Sequence, residues 1–211
     1  MERRHASEDQ LTDERLLEAF LAGDEPAFRT LVTRYADDLL LFVARFVRNS
    51  AAAEDIVQET FIQVHQSAGG FDPSRRFRPW LFTIAANKAR DHLRGRTRKK
   101  EVPLSLGGGS SDGGEQISYL DFTADDGASP DAAMEADEQK QIVQAVISRM
   151  PDHLREVLVL GYYQRCPYKE IAEIVGIPLG TVKSRLHSAV SHFAEAYKRE
   201  IDRRGRNHAR T

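Results

Sequence analysis

The sequence predicts an all-α protein of two small helical domains joined by a flexible acidic linker. Three observations carry this. Apolar residues recur at helical spacing in long stretches on both sides of the middle of the chain. No segment alternates with period two while enriched in β-branched residues, so strands are not expected. Between the periodic regions lies a stretch rich in glycine, serine and aspartate, with too little apolar content to build a core. A length of 211 residues allows one or two domains. The expected boundaries are a first helical domain at 1–100, a linker at 101–137 and a second helical domain at 138–211.

The elements follow in order. Thr12 can cap a first helix that Gly23 ends; Asp24 and Pro26 open a second. In that second helix Phe28, Leu31, Val32, Tyr35, Leu39, Phe42, Val43 and Phe46 form one long apolar stripe, broken at Asn49-Ser50. A third helix is expected at about 51–66, turning Ala53, Ile56, Val57, Phe61 and Val64 inward. Gly69-Gly70-Phe71-Asp72-Pro73-Ser74 is a loop signal. From about Arg78 a fourth helix would bury Leu81, Ile84, Ala85, Ala89 and Leu93. Beyond the linker, a helix over 150–160 would bury Leu154, Val157 and Leu158.

The net charge of −2 hides a sharp partition. Residues 1–71 carry 7 basic and 13 acidic side chains, residues 72–100 carry 10 and 2, residues 101–140 carry 1 and 10, and residues 141–211 carry 12 and 7. Two basic blocks separated by an acidic one point to two polyanion-binding surfaces on one chain. A bilayer span needs about 18 apolar residues, and no run here approaches that, so stable membrane insertion is not expected. No apolar stretch follows the charged start Met1-Glu2-Arg3-Arg4-His5, which argues against a secretory signal and for a cytoplasmic protein. Cys166, the single cysteine, offers neither an internal disulfide nor a cysteine-based zinc cluster. His187 and His192 are five residues apart and share no helix face, so neither a metal nor a cofactor is expected.

The residues 168–186 have the spacing of a helix-turn-helix. Ala172 is small where two helices must cross, Gly176 can take the positive φ of a tight turn, and Pro178 sits where a missing N–H costs little. Val182 and Leu186 would return the second helix onto Ile171 and Val175. Thr181, Lys183, Ser184 and His187 then face outward with Arg185 at the flank, a set suited to base edges and phosphates in the major groove. The alternative is an αα-hairpin with a solvated face. Arg203, Arg204, Arg206 and Arg210 add a basic tail.

Two further faces stand out. On the third helix Asp55, Gln58 and Glu59 lie at i, i+3 and i+4, opposite the apolar stripe. On the fourth, Thr83, Asn87, Arg90, Arg94 and Arg98 track one side, preceded by Arg75, Arg76 and Arg78 among Phe71, Phe77, Trp80 and Phe82. Cations beside aromatics suit a single strand whose bases stack while its backbone is held. For Trp80 itself, packing inside the bundle is the favoured reading.

In this order the motifs Ala53-Glu54-Asp55-Ile56-Val57-Gln58-Glu59-Thr60-Phe61, Phe71-Asp72-Pro73, Phe77-Arg78-Pro79-Trp80-Leu81-Phe82-Thr83-Ile84-Ala85, Asp91-His92-Leu93-Arg94, Tyr168-Lys169-Glu170-Ile171-Ala172 and Gly180-Thr181-Val182-Lys183-Ser184-Arg185-Leu186 resemble the bacterial sigma-70 family, extracytoplasmic-function (ECF) group. The likeness covers most of 10–100 and 138–197; it departs in the long acidic linker and at Arg165-Cys166-Pro167, where a Gly-Leu-Ser-like turn is commoner. The resemblance implies an RNA polymerase sigma factor and no enzyme. Asp55, Gln58 and Glu59 would dock on the β′ clamp helices of core RNA polymerase, with the second domain on the β flap. Arg75, Arg76, Arg78, Asn87, Arg90, Arg94 and Arg98 would recognise and open the −10 element of promoter DNA. Thr181, Lys183, Ser184, Arg185 and His187 would read the −35 element. It leaves room for an anti-sigma factor as a further partner. The competing reading is a helix-turn-helix transcriptional regulator that is not a polymerase subunit.

Overall fold

The computed structural model describes residues 11–101 and 130–208, with side chains at 11–96 and 139–204. Most of the expected acidic linker, the side chain of Arg98, and Arg206 and Arg210 of the basic tail lie outside the described side chains. Among the described residues the chain is helical without strands. The first half comprises α1 (Asp13–Leu21), α2 (Glu25–Val47), α3 (Ser50–Ser67) and α4 (Phe77–Glu101), with a 3₁₀ turn at Ala68–Gly70. The second comprises α5 (Pro130–Ser148), α6 (Asp152–Leu158), a π-helical turn at Val159–Tyr163, α7 (Tyr168–Val175) and α8 (Leu179–His208).

Local chemistry accounts for the ends. The Thr12 hydroxyl accepts from Arg15 N at the start of α1, and the Asn49 side chain accepts from Ala52 N at the start of α3. Pro26 stands in the first turn of α2. The first amide of α4, Phe77 N, donates to Glu14 Oε1 of α1 at 3.0 Å, so a side chain from another helix satisfies it. Asp13 ties α1 to α2 by accepting from the Tyr35 hydroxyl and pairing with Arg34. The first turns of α5 fall in the stretch read as linker; Pro130 can open a helix, and Ala132, Ala133 and Met134 are good helix formers.

The α2 stripe is buried through Leu31, Tyr35, Leu39, Phe42, Val43 and Phe46, and α3 buries Ala53, Ile56, Val57, Phe61 and Val64, as the periodicity predicts. In α4 Leu81, Ala85, Ala89 and Leu93 are buried, while Ile84 is only half-buried. The core does not stop at the first half. Val157, Val159, Leu160, Ile171, Ile174, Val175, Val182 and Leu186 belong to the same continuous cluster as Phe42, Phe46 and Phe82. A smaller cluster of Ile147, Met150, Leu154, Leu158 and Ala189 holds α5, α6 and α8 together.

The two halves therefore pack against each other along a seam, and buried polar groups cross it. Arg155 on α6 is fully buried: its Nε donates to the Phe46 carbonyl at 3.0 Å, Nη1 to the Met150 carbonyl at 2.7 Å, and Nη2 pairs with Asp152. Gln164 donates to the Asp38 carbonyl at 2.8 Å, Arg48 donates to the Ser148 carbonyl, and Arg45 lies 4.0 Å over the Tyr163 ring. Replacing Arg155 with methionine would leave two buried carbonyls without their donor. Hydrogen bonds to charged groups each contribute about 1.5–3 kcal/mol, so Arg155→Met is expected to lower stability by about 2–4 kcal/mol. Urea unfolding of the full chain measures this; a loss below about 1 kcal/mol would mean other donors replace the guanidinium.

Candidate nucleic-acid interface

On α3 the side chains of Asp55, Gln58 and Glu59 are exposed, opposite buried Ile56, Val57 and Thr60. The spacing read from the sequence thus places the three on one free face. Lys88 of α4 pairs with Glu59 at 3.2 Å, an exposed contact of little energetic weight. Beside this face a shallow cleft is lined by Phe28, Phe61, Ile62, His65 and Gln66.

The approach to α4 is shaped by Asp72, whose carboxylate accepts from Ser74 N at 2.9 Å and Ser74 Oγ at 2.8 Å. These bonds and nearby Arg75 hold its pKa below the ordinary carboxylate value. Trp80 is half-buried, 4.8 Å from Phe71 and 5.9 Å from Phe77, which agrees with its reading as a packing residue. Arg75, Arg76, Asn87 and Arg94 are exposed, with Arg94 paired to Asp91 one turn back. Arg78 and Arg90 are not: both turn into the seam.

The second half contains the expected helix-turn-helix. Gly176 ends α7 at φ 72, and its N–H donates to the Ala172 carbonyl at 3.0 Å. Thr181 N donates to the Pro178 carbonyl at 2.8 Å as α8 begins. Val182 and Leu186 are buried with Ile171 and Val175. Lys183, Ser184 and His187 are exposed, while Thr181 and Arg185 are half-buried. Gly161 lets the preceding turn approach closely: a Cβ there would meet Leu186 Cδ2 at 3.3 Å and Ile171 Cδ1 at 3.6 Å.

The chain thus exposes one set of cations at and just before α4 and a second on the helix-turn-helix. The sigma-70 region 2 family model matches residues 31–99, and the sigma-70 region 4 model matches residues 140–193. The chain is 36% identical over 165 residues to the ECF RNA polymerase sigma factor SigW of Bacillus subtilis, covering 78% of this chain and 86% of that one. The chain belongs to the ECF group of the sigma-70 family. It is 34% identical to the RNA polymerase sigma-H factor of Pseudomonas aeruginosa, over 85% of this chain and 91% of that one. The fold is also that of the Bartonella quintana sigma factor RpoE, solved with the anti-sigma factor NepR (TM-score 0.63, 22% identity, 81% of this chain and 96% of that one). CnrH, solved with the cytosolic domain of CnrY, shares it as well (TM-score 0.61, 24% identity, 87% and 95%). As an ECF sigma factor the chain is a DNA-binding initiation factor and no enzyme. A stand-alone regulator sharing only the helix-turn-helix would not account for the region 2 match.

In this sigma factor the seam holds what sequence reasoning missed. Arg78 pairs with Glu170, donates to the Gln164 carbonyl at 3.0 Å and to Cys166 Sγ at 3.2 Å, and lies 4.8 Å over the Phe82 ring. Arg90 donates Nε–H to its own helix at the Ala86 carbonyl (3.2 Å) and Nη2 to the Ile174 carbonyl (3.4 Å). Its Nε also lies 3.1 Å from Glu156 Oε1, but that oxygen receives no directed hydrogen bond, so the pair is held by charge alone. Local periodicity marks Glu156 and Glu170 only as helix-surface carboxylates; no sequence signal pairs them with residues about 66 and 92 positions upstream. Burial pushes the Cys166 thiol up to about 11 against the pull of Arg78, so it stays protonated.

Burial likewise pushes the Glu156 carboxyl from 4.5 to about 7, against the opposing attraction of Arg90 on α4 and Arg185 on α8 and with a small push from Asp152. A raised carboxyl pKa means the packed state holds its proton where an exposed carboxyl has lost it. Glu156 therefore favours packing most at low pH, and that contribution is lost as pH rises from about 4.5 to about 7. Thermal unfolding of the wild type against Glu156→Gln across pH 4.5–8 should show the wild type losing about 1–3 kcal/mol relative to the variant over that window. A constant difference would mean that packing does not shift the Glu156 carboxyl from its ordinary value.

Proposed function

We propose that this sigma factor divides its work among the three faces in the way the sequence suggests. The observation that carries the reading is their separation: an acidic face on α3, a basic one along α4 and a cationic recognition helix in α8 point outward from different elements. Residues 1–100 would bind core RNA polymerase through Asp55, Gln58 and Glu59 on its β′ clamp helices. They would meet the −10 element through Arg75, Arg76, Arg78, Asn87, Arg90, Arg94 and Arg98. Residues 138–211 would sit on the β flap and lay the start of α8 in the major groove of the −35 element. There Thr181, Lys183, Ser184, Arg185 and His187 offer hydrogen-bonding and cationic tips to base edges and phosphates. Neither half supplies a reacting group; base pairing is exchanged for protein contacts, and the polymerase does the chemistry. Among the described residues no helix is long and apolar enough to cross a membrane, and we place the chain in the cytoplasm with its DNA. An anti-sigma factor is proposed as a further partner, because the similar RpoE was solved with the anti-sigma factor NepR.

Run-off transcription with core polymerase on genomic fragments tests the reading directly: promoter-specific transcripts should depend on this chain. In a core-binding titration, the pair Asp55→Ala and Gln58→Ala should weaken affinity by about one to two decades, the loss of ~1–3 kcal/mol typical of exposed hot-spot contacts. Unchanged affinity would remove α3 from the docking role. Replacing Lys183 and Arg185 should abolish selectivity at the upstream element, whereas replacing Asn87 and Arg94 should impair opening near the start site, as permanganate footprinting reports. A variant lacking Lys183 and Arg185 with full −35 selectivity would show that α8 does not read that element.

A further inference from the structure

Arg185 differs from the other polar residues at the start of α8. Lys183, Ser184 and His187 are exposed, whereas Arg185 is half-buried. Spacing explains this: Val182, Arg185 and Ala189 recur at i, i+3 and i+7, and Val182 and Ala189 are fully buried. Arg185 therefore leaves α8 at the edge of its inner stripe. Across from that stripe lies α6. Glu156, one turn before buried Leu160, is on the side of α6 that shares a cluster with Ile171, Val182 and Leu186. The turn after α6 comes close there, since a Cβ at Gly161 would meet Leu186 Cδ2 at 3.3 Å. Glu156 is 3% exposed and feels the charge of Arg185. Arg90 of α4 lies 3.1 Å from the same carboxylate, and Asp152 of α6 repels it weakly. Even so, Glu156 Oε1 receives no directed hydrogen bond. A buried acceptor without a donor costs stability, so its presence calls for another reason.

An unheld arginine spreads over many rotamers, and ordering it takes away part of the gain from any contact it makes. A fixed negative charge behind the helix narrows that spread before DNA arrives. We propose that Glu156 is a positioning residue for promoter recognition: its buried carboxylate holds Arg185 at the flank of the recognition helix, so that the guanidinium meets DNA in one orientation and sets the register of Lys183, Ser184 and His187 in the groove. Both members of the pair belong to the second half, so they move as one with the helix-turn-helix. The proposal rests on the reading of α8 as the −35 helix.

The test measures discrimination. Holoenzyme assembled from core polymerase and the full chain is titrated by fluorescence anisotropy against a labelled promoter duplex recovered by run-off transcription. The same duplex with its upstream element scrambled is titrated in parallel, and the ratio of the two affinities is the discrimination. Glu156→Gln and Arg185→Gln should each lower it by roughly tenfold, the lower end of what one well-placed arginine contributes. The double variant should be no worse than Arg185→Gln alone, because the carboxylate acts through that guanidinium. Losses that multiply would give Glu156 a separate role in folding and overturn the proposal, as would a Glu156→Gln protein that discriminates like the wild type. A second readout leaves Glu156 unchanged and decides the matter if its variant does not fold. Burial raises the Glu156 pKa to about 7, so the charge that holds Arg185 is lost as pH falls. Wild-type discrimination should therefore decline from about pH 8 to about pH 6, while that of Arg185→Gln stays flat. His187 is present in both proteins, so its own contribution cancels in the comparison. Parallel profiles overturn the positioning role alone. If scrambling the upstream element leaves wild-type affinity unchanged, the −35 reading of α8 fails and the proposal with it.

Discussion

A helix of 23 residues whose buried stripe runs from Leu31 to Val47 cannot be covered by one neighbour. α2 carries that constraint for the whole molecule. Its stripe is met by α1, α3 and α4 in the first half, and its C-terminal end, at Phe46, is met by α6 of the second. Because the final carbonyls of a helix have no partner within it, the end of α2 is where an outside donor gains most, and Arg155 supplies one. The placement of the second half, and with it the burial of Arg78 and Arg90, follows from that docking.

Much of this was legible beforehand because it is local. Thr12 names its helix start by chemistry, and Gly176 names its turn by the left-handed φ it permits. The faces of α3 and α8 follow from spacing alone, so Asp55, Gln58, Glu59, Lys183, Ser184 and His187 all emerge exposed where the sequence puts them. What was not legible depends on distant partners. Arg155, Glu156 and Gln164 are charged or polar, and a periodicity argument assigns such residues to solvent. Only the meeting of segments about 65–130 residues apart buries them. The polar face of α4 was read correctly as a face, yet for Arg78 and Arg90 it faces protein.

The charge partition takes on a physical meaning in this light. The basic block at 72–100 is long enough to serve two purposes at once. Arg75, Arg76, Asn87 and Arg94 remain on the surface, while Arg78 and Arg90 hold the second half. Attraction between unlike segments of one chain thus competes with attraction to an outside polyanion, and salt, which weakens both, acts less on the buried pair than on the exposed cations.

Cys166 shows the same seam from its chemical side. It is the chain's single thiol, buried against Arg78 with its proton held up to about 11. While the halves are packed it is shielded and a poor nucleophile, because thiol reagents attack the thiolate. Separation of the halves removes the cover and returns the group toward ordinary acidity. The rate at which an alkylating reagent consumes it therefore measures how often, and whether, the seam opens.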